Sequence, residues 1–513
     1  MSEQTESNKR IARNTLTLYF RMLFLMCISL YTSRVVLEAL GVVDYGIYNV
    51  VGGFVSMFSL ISATLTSASS RFINYEMGKG QPERLNTVFS TSLNVHILLA
   101  IIIALLCETV GLWYLNSMMI IPPERLYAAN WVFQISILNF CISLITVPFN
   151  ASIIAHERMS TFAYVSIFEG IARLLICFAV LYSSFDHLIL YAILYMLVQV
   201  SVTTMYRTYC RRHFEECHYR KVVDRQLIRQ MFSYSSWHLF GNSAAILNRQ
   251  GVDLVLNYFC GPVLNAAKGI SNQVNSAVTG FVSNFMMAVN PQITQSYSRG
   301  DLSYMFSLVF RGSRFSYYLL LLLSFPVILN ADYIIHLWLK EVPDYAVNFA
   351  QLALMTSMVS SFSNTLMTAQ NATGKVRNYQ IVVGGLQLTN LPLCFLTLYL
   401  GASPISILIV AFCVEILCLI ARLFMIPLTI KEFSPVSFLR EVILNSMLVT
   451  IVAVPVPLAI HYFVGGTLAS FCVETVLCIL CSGASIMFLG CKQSERQMIL
   501  RQVSKIKGRV FKK

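Results

Sequence analysis

The chain has little charge and few recognisable motifs. Asp, Glu, Lys and Arg together make up 12% of the 513 residues, whereas 56% are hydrophobic and the mean hydropathy is +0.66. The connecting segments are short and contain no P-loop, nucleophile elbow, paired Asp-x-Asp or zinc-ligand spacing. The short connecting segments leave no room for a soluble catalytic domain. The absence of a P-loop argues against a pump that binds and hydrolyses ATP itself.

The 14 cysteines do not form the framework of a disulfide-stapled domain. Most of them stand singly in apolar segments, where neither a disulfide pattern nor a metal cluster is indicated. Cys478 and Cys481 form one CxxC pair, but it lies within an apolar run, which disfavours a redox or zinc site. The sequence therefore predicts no catalytic residue, no metal and no cofactor.

Long apolar runs are what the chain has in abundance. A helix needs about 20 apolar residues to cross the hydrocarbon core, where no water can satisfy its backbone. We therefore predict an all-α integral membrane protein with about 14 transmembrane helices. The predicted spans are 13–37, 44–71, 87–116, 127–153, 160–183, 187–207, 230–256, 262–290, 304–330, 346–370, 379–400, 404–427, 438–461 and 466–490.

The basic excess follows the membrane rather than a nucleic acid. Lys and Arg number 37 against 24 Asp and Glu, a net charge of +13. Most of the basic residues fall at the face that carries the N-terminus, and only Arg125 and Lys340 fall in loops on the other face. We predict that both termini are cytoplasmic and that the basic segments lie along anionic lipid headgroups. The first run is too long for a signal peptide and should remain as a span.

The spans divide into two parallel six-helix lobes followed by two C-terminal helices. We predict an N-terminal lobe at 1–213, a basic cytoplasmic linker at 214–229 and a C-terminal lobe at 230–431. Spans thirteen and fourteen follow at 432–491, and a basic cytoplasmic tail occupies 492–513.

The two lobes also repeat weakly in sequence. At a shift of 220 or 217 positions the matching pairs include Gly41–Gly261, Gly80–Gly300, Arg158–Lys375 and Cys177–Cys394. Six spans per copy is an even number, so both copies enter the membrane from the same side. This is the parallel repeat found in many alternating-access transporters.

Charges inside the predicted spans need a partner or water, because each costs about 2.5–3.5 kcal/mol on insertion scales. Arg21 has no acidic residue three or four positions away, whereas Arg34 has one four positions on. Lys268 also has no near acidic partner on its own helix. Arg249 and Asp253 stand four apart in span seven, where they either neutralise each other or line a cavity.

Other charged residues have their partners in the sequence. Glu169 and Arg173, four apart with the acid first, are interpreted as a structural pair within span five. Glu415 and Arg422 share a face of span twelve and could bridge to neighbouring helices or line the second lobe.

Spans two and eight carry polar stripes at spacings of three and four. Such a stripe can indicate close helix packing or the wall of a wet cavity. Because the two spans are related by the repeat and neighbour the charged spans one and seven, we favour the wet wall. The stripes contain Ser56, Ser59, Ser62 and Thr66 in span two, and Asn272, Asn275, Thr279 and Ser283 in span eight.

The opening of the chain resembles a known family. The pattern is Arg10, then Tyr19-Phe20-Arg21, Ser33-Arg34 and Leu40-Gly41-Val42-Val43-Asp44-Tyr45-Gly46. With the two lobes and the two extra spans, it resembles the O-antigen and capsule flippases of the multidrug/oligosaccharidyl-lipid/polysaccharide exporter superfamily, over about residues 10–490. The related flippases of lipid-linked peptidoglycan precursors place arginines in the first span and an Asp before the second, which Arg21 and Asp44 match.

This resemblance implies a cavity between the lobes, lined by spans one, two, seven and eight. It also implies a polysaccharide biosynthesis protein of the bacterial inner membrane, which flips a polyprenyl-diphosphate-linked oligosaccharide to the periplasmic leaflet for O-antigen (lipopolysaccharide) or capsule assembly. The cavity residues predicted to bind this cargo are Arg21, Arg34, Asp44, Arg249, Asp253, Lys268, Ser59, Ser62, Thr66, Asn272, Asn275 and Thr279.

Two other functions stay open at this point. A cation- or proton-coupled multidrug exporter of the same superfamily would favour an unpaired acidic residue, and Asp253 is a candidate for that role. A membrane enzyme of polysaccharide assembly is disfavoured because the outer loops are short. For the flippase we expect Na⁺ or H⁺ as a coupling ion. Its expected partners are membrane lipids, with a polymerase or glycosyltransferases as further candidates and no nucleic acid.

Overall fold

A computed structural model describes most of the chain, and every regular element in the described part is helical. The predicted all-α class is therefore confirmed. The described residues are 2–117, 119, 121–222, 224–339, 342–464, 468–493 and 495–497. Within these ranges the side chains of 2–9, of several positions between 30 and 56, and of 262, 266, 463, 464, 468 and 469 are left out. The predicted site residue Arg34 is among them, so its side chain lies outside the described residues.

Ten described helices are long and apolar enough to cross a membrane. The predicted spans outside this set are also helical but more polar; they are 44–71, 230–256, 262–290 and 346–370. The first three are the spans that carry the polar stripes and charges noted above, which lower their hydropathy. The chain is thus a multi-pass membrane protein in which three of the least apolar helices are those predicted to line a cavity.

The chain packs as two compact units. Unit one comprises Met1–Ser243 and Met287–Asp301, and unit two comprises Ala244–Met286 and Leu302–Lys513. The boundary passes through two long helices, α8 and α9, each of which contributes to both units. The predicted lobe limits at 213 and 230 concern the moving bodies of a transporter and stay predictions.

Unit one is built from the first seven helices, the start of α8 and the end of α9. The helices are α1 (Ser2–Ser56), α2 (Ser59–Lys79), α3 (Pro82–Leu106), α4 (Leu112–Ser117), α5 (Leu126–Ala155), α6 (Met159–Leu181), α7 (His187–His213), α8 (Arg225–Cys260) and α9 (Pro262–Ser298). A π-helical turn at Cys107–Gly111 joins α3 to α4. One core cluster, which includes Val51, Ile103, Leu115 and Phe133, is fully buried among α1, α3, α4 and α5.

Unit two contains the remainder of α8 and α9 and ten further helices. These are α10 (Leu302–Leu329), α11 (Ala331–Trp338), α12 (Ala346–Ser361), α13 (Ser363–Thr373), α14 (Arg377–Tyr399), α15 (Ser406–Met425), α16 (Pro435–Phe438), α17 (Asn445–Ala453), α18 (Pro455–Val464) and α19 (Leu468–Ser485). Leu256, Ala267, Phe349 and Ile407 form the centre of one apolar cluster in this unit.

Helix α1 consists of two helical segments that meet at a kink at Gly41, where φ is 74° and ψ is 169°. Only glycine adopts this region readily, because a Cβ would clash there. The kink lies between predicted spans one and two. A second break at Met57 and Phe58 separates α1 from α2, so the predicted span 44–71 is divided between two helices.

Left-handed backbone positions recur at the spacing of the sequence repeat. Their φ values are 74° and 80° for Gly41 and Gly261, 68° and 77° for Gly80 and Gly300, and 56° and 74° for Glu157 and Gly374. The first two pairs are separated by the shift of 220, and the third by the shift of 217. The chain therefore breaks its helices at equivalent points in both copies, which supports the parallel repeat.

Arg125 fastens one end of unit one. Its Nε donates to Asp44 Oδ1 at 2.8 Å and its Nη1 donates to Asp186 Oδ2 at 2.6 Å. Asp186 also caps α7 by accepting from the backbone N–H groups of Leu188 and Ile189. Burial alone would raise the pKa of Asp186, but the bonds from Arg125 and the backbone outweigh it and lower the pKa. The clamp thus joins the middle of α1 to the starts of α5 and α7.

Glu157 fastens α1 at the α5–α6 turn of the same unit. Its side chain is 4% exposed and lies 2.5 Å from Arg10 Nε, and Gln292 Nε2 donates to it at 3.1 Å. Asn14 Nδ2 donates to its carbonyl at 3.1 Å. This one turn therefore holds both the start of α1 and the end of α9.

We expect Arg125→Gln to lower the melting temperature of the purified protein by several degrees. The substitution removes the charge that two carboxylates share, and such part-buried pairs are worth more than exposed ones. Arg158→Gln is the matched control, because Arg158 is exposed and makes no side-chain ion pair in the described structure. Equal melting temperatures for the two variants in thermal unfolding would contradict the clamp.

The start of α8 should be sensitive to acid through Asp224. The backbone N–H of Leu227 and the Arg84 guanidinium, 2.7 Å away, hold the pKa of Asp224 below its usual range. A lowered folded-state pKa gives stability that is complete above about pH 4 and is lost as pH falls through the folded value. In melts between neutral pH and pH 3, Asp224→Asn should therefore show a shallower decline than the parent. A parallel decline would argue against this role.

Candidate functional site

Unit one contains a polar cavity of about 700 Å³. Its wall is made by α1, α5, α6 and α7, and part of it is apolar. The charged residues that line it are Arg21, Glu169 and Arg173; the amides are Asn150 and Gln199; the hydroxyls are Ser29, Thr32, Ser143, Thr146 and Ser166; and the tyrosines are Tyr45, Tyr48, Tyr191, Tyr195 and Tyr206. A pocket with this lining among apolar helices is suited to a polar ligand.

Arg21 carries a charge that no acidic group within ion-pair distance neutralises in the described part of the chain. Its Nε and Nη1 atoms are buried and have no hydrogen-bond partner. The guanidinium carbon lies 4.4 Å from the centre of the Phe162 ring, a cation–π contact that offsets part of the desolvation. A buried donor without an acceptor is costly, so water or a ligand is needed beside Arg21.

Arg173 and Glu169 form an ion pair on the cavity wall, as their spacing predicts. The Arg173 guanidinium also lies over Tyr195, 4.6 Å from the ring centre. The sequence interpretation as a purely structural pair missed their position in the cavity. A signal was available, because both residues share a helical face with Ser166 and Gly170, which also line the cavity.

Unused acceptors complete the polar wall. Asn150 Oδ1 and Thr32 Oγ1 are buried and make no hydrogen bond within the described residues. Tyr48 and Tyr191 pack edge to face with ring centres 5.0 Å apart and give the wall a rigid aromatic section. Taken together, the cavity offers two guanidinium groups against one carboxylate, with amides, hydroxyls and aromatic rings nearby. This set can bind an anionic group that is attached to a polyhydroxylated one.

The other predicted residues of unit one whose side chains are described lie outside this lining. Asp44 is held by Arg125, although its neighbour Tyr45 lines the cavity. On α2, Ser59 is exposed while Ser62 and Thr66 are half-buried, and Thr66 Oγ1 donates to the carbonyl of Ser62 at 2.8 Å.

In unit two the structure brings together Lys268 and Asp253. Lys268 Nζ lies 2.7 Å from Asp253 Oδ1, so the lysine on α9 takes its partner from α8. Arg249 is exposed and is not the partner of Asp253, contrary to the simpler sequence interpretation. The lysine was expected to lack a partner only on its own helix, and sequence spacing cannot reveal one on another helix.

The predicted polar stripe of α9 divides between exposed and bonded side chains. Asn272 is exposed. Asn275 Oδ1 accepts from Ser357 Oγ at 2.8 Å, and Thr279 Oγ1 donates to the carbonyl of Asn275 at 2.8 Å. Among the described residues there is no group of three or more His, Cys, Asp or Glu side chains placed to hold a metal ion.

The fold and its cavity define the class of the protein. The chain has the fold of the MATE transporters, as three solved structures show. A MATE protein in the bent conformation is 12% identical with a TM-score of 0.71, and the match covers 83% of this chain and 96% of that one. An outward-facing multidrug resistance MATE family transporter of the MOP superfamily is 10% identical with a TM-score of 0.69, covering 81% and 94%. The MATE transporter ClbM in complex with Rb⁺ is 12% identical with a TM-score of 0.67, covering 83% and 96%.

The family is shown by sequence. The model of the family described as polysaccharide biosynthesis protein matches residues 11–297, which is more than half of the chain. The chain belongs to this family. The MatE family model matches residues 252–396. No curated protein matches the chain.

Close packing of α6 against α1 should make Gly170 intolerant of a side chain. A Cβ at Gly170 would lie 2.6 Å from Leu25 Cδ2, so Gly170→Ala must displace Leu25 at the cavity wall. We expect a lower melting temperature for this variant. Gly385→Ala in α14 is the control, because nothing lies within 4 Å of a Cβ there, and alanine favours a helix by about 1 kcal/mol over glycine. Thermal unfolding that gave both variants the same shift would contradict this packing.

Proposed function

We propose that the chain is a flippase for a polyprenyl-diphosphate-linked oligosaccharide, which it moves from the cytoplasmic to the periplasmic leaflet of the bacterial inner membrane. One observation carries the proposal: within the described residues, the Arg21 guanidinium has no ion-pair partner, and it lies in a cavity of unit one that is lined by polar groups. Membership of the polysaccharide biosynthesis family supports a lipid-linked glycan for O-antigen or capsule assembly as the cargo.

The chemistry of such a cargo matches the cavity. A diphosphate and its sugars cannot enter hydrocarbon, whereas the polyprenyl tail can remain in the lipid. Arginine N–H groups form charge-assisted hydrogen bonds with phosphate oxygens, and the Nε and Nη1 donors of Arg21 make no hydrogen bond within the described residues. The amides and hydroxyls of the wall would exchange hydrogen bonds with sugar hydroxyls, and the tyrosines would pack on the apolar faces of sugar rings.

Arg173 supplies a second positive charge that is neutralised until a cargo arrives. Its partner Glu169 stands on the same helix, four residues earlier. A phosphate that competes for Arg173 would leave the Glu169 carboxylate without its ion pair. Glu169 would then be a site for H⁺ or Na⁺, which makes it our candidate for coupling to an ion gradient.

A multidrug exporter is the second candidate, and two observations favour it. The MatE model matches residues 252–396, and the cavity contains the Glu169 carboxylate, which could bind a cationic compound. The charge of the cavity argues against a multidrug exporter, because its lining contains two arginines and one glutamate. A cationic drug would be repelled by Arg21, whereas a diphosphate would be attracted.

Proteoliposomes containing a lipid-linked oligosaccharide provide the test. Arg21→Gln should slow translocation at least tenfold, because hydrogen bonds to a charged group are worth about 1.5–3 kcal/mol. Arg21→Lys keeps the charge without the planar fork and should keep partial activity. Lys375→Gln, which removes an exposed charge elsewhere, should leave the rate unchanged.

Unchanged translocation in Arg21→Gln would remove the proposal that this arginine binds the diphosphate. The rival function is tested on the same vesicles with a fluorescent cationic drug. Drug export by the parent together with no movement of the lipid-linked glycan would replace the flippase by the multidrug exporter.

A further inference from the structure

The segment that follows α7 is docked on unit one rather than loosely connected to it. We call residues 207–222, the end of α7 and the linker after it, the collar. Asn86 Nδ2 donates to the carbonyl oxygens of Glu216 and His218 at 2.8 and 2.7 Å. Ser90 Oγ accepts from the backbone N–H of Arg220 at 3.1 Å. These bonds to α3 fix the path of the collar, and therefore the direction of its side chains.

The acidic groups at the inner side of the collar are already bonded to other side chains of unit one. Glu216 is 8% exposed, and its Oε1 lies 2.5 Å from His156 Nε2. Asp224, just beyond the collar, is paired with Arg84 at 2.7 Å. Glu215 is the exception, since it is exposed. Glu216 and Asp224 thus have partners within unit one and do not belong to the outer surface of the collar.

The basic groups of the collar all point outward. In the described structure these side chains are exposed and make neither ion pairs nor hydrogen bonds; they are Arg207, Arg211, Arg212, Arg220 and Lys221. Arg225 and Arg229, in the first turns of α8, are exposed as well. Because the basic side chains are exposed and Glu216 is buried, the outer surface of the collar carries a strong positive charge.

The position of the collar relative to the membrane can be inferred from the length of α7. The helix begins at His187, and the rise to Arg207 is about 30 Å at 1.5 Å per residue, which equals the thickness of the hydrocarbon core. Arg211 and Arg212 lie about 6–8 Å further on. The collar therefore begins where the lipid headgroups are expected, and its bases are spread along that level.

We propose that the collar is a binding surface for anionic phospholipid headgroups. A lipid surface fits better than an acidic protein, because three apolar residues of the collar, Cys210, Phe214 and Cys217, are buried within unit one, and Val222 is its one exposed aliphatic side chain among the described residues. Protein interfaces depend on buried aromatic and apolar anchors, whereas phosphate headgroups need only distributed positive charge. Tyr219, 44% exposed with its hydroxyl bonded to Asn94, suits the interface between lipid and water. The proposal is independent of the cargo.

The test compares the full-length protein in nanodiscs of phosphatidylcholine with and without phosphatidylglycerol. The collar variant carries Arg211→Gln, Arg212→Gln, Arg220→Gln and Lys221→Gln. The control carries Arg158→Gln, Lys375→Gln, Lys431→Gln and Arg440→Gln, four exposed bases outside the collar with the same total change in charge. Thermal unfolding and native mass spectrometry of retained phosphatidylglycerol are the measurements.

We expect phosphatidylglycerol to raise the melting temperature of the parent and of the control variant. In the collar variant most of this rise should be lost, and phosphatidylglycerol should be retained at least about tenfold less, given about 1 kcal/mol per basic residue at a membrane surface. High salt should abolish the difference, because it screens exposed charges. In pure phosphatidylcholine all three proteins should melt alike, which shows that the variants fold.

Three results would overturn the proposal. The first is a parent that shows no response to phosphatidylglycerol, which would leave the bases with a role in membrane insertion alone. The second is an equal loss in the collar and control variants, which would make the effect a matter of net charge. The third is a collar variant that retains phosphatidylglycerol normally but does not support surface polysaccharide assembly in cells. That result would point to an acidic protein partner.

Discussion

Arg21 places a positive charge among helices that are otherwise apolar, and the cavity of unit one is arranged around it. The charge cannot be left dry, so the neighbouring helices keep open space and polar groups beside it instead of closing in. Phe162 supports the guanidinium from one side, while Asn150 and Thr32 leave acceptors unused. Each of these features would be a defect in a solid core. Together they describe a chamber that is incomplete without water or a ligand.

In unit two a buried arginine has its hydrogen-bond and ion-pair partners within the protein. Arg422, 4% exposed, donates to Glu415 at 3.0 Å and to Ser363 at 2.8 Å, and Tyr379 lies 3.2 Å from its Nε. There the guanidinium has partners on neighbouring helices, so its charge is satisfied within the protein. Arg21, by contrast, has no ion-pair partner among the described residues, so the two buried guanidinium groups are satisfied in different ways.

The fold was largely predictable from the sequence, and the site only in part. Apolar runs identify membrane helices because the lipid imposes their length, and the helix breaks at Gly41 and Gly261 follow the repeat. The lack of an ion-pair partner for Arg21 on its own helix could also be predicted, because no Asp or Glu stands three or four positions away in the sequence. The partner of Lys268 was not, because Asp253 reaches it from another helix. The ion pair of Arg173 with Glu169 was predictable from their spacing, but spacing does not reveal the cavity beside the pair.

Glu157 has one consequence for how duplicated segments diverge. It occupies the left-handed position that its counterpart Gly374 fills without strain, and this conformation costs an ordinary residue about 1–2 kcal/mol. The glutamate persists there because its carboxylate and carbonyl hold Arg10, Gln292 and Asn14. In one copy the strain of this turn is therefore offset by side-chain contacts with α1 and α9, which the glycine of the other copy, having no side chain, cannot make.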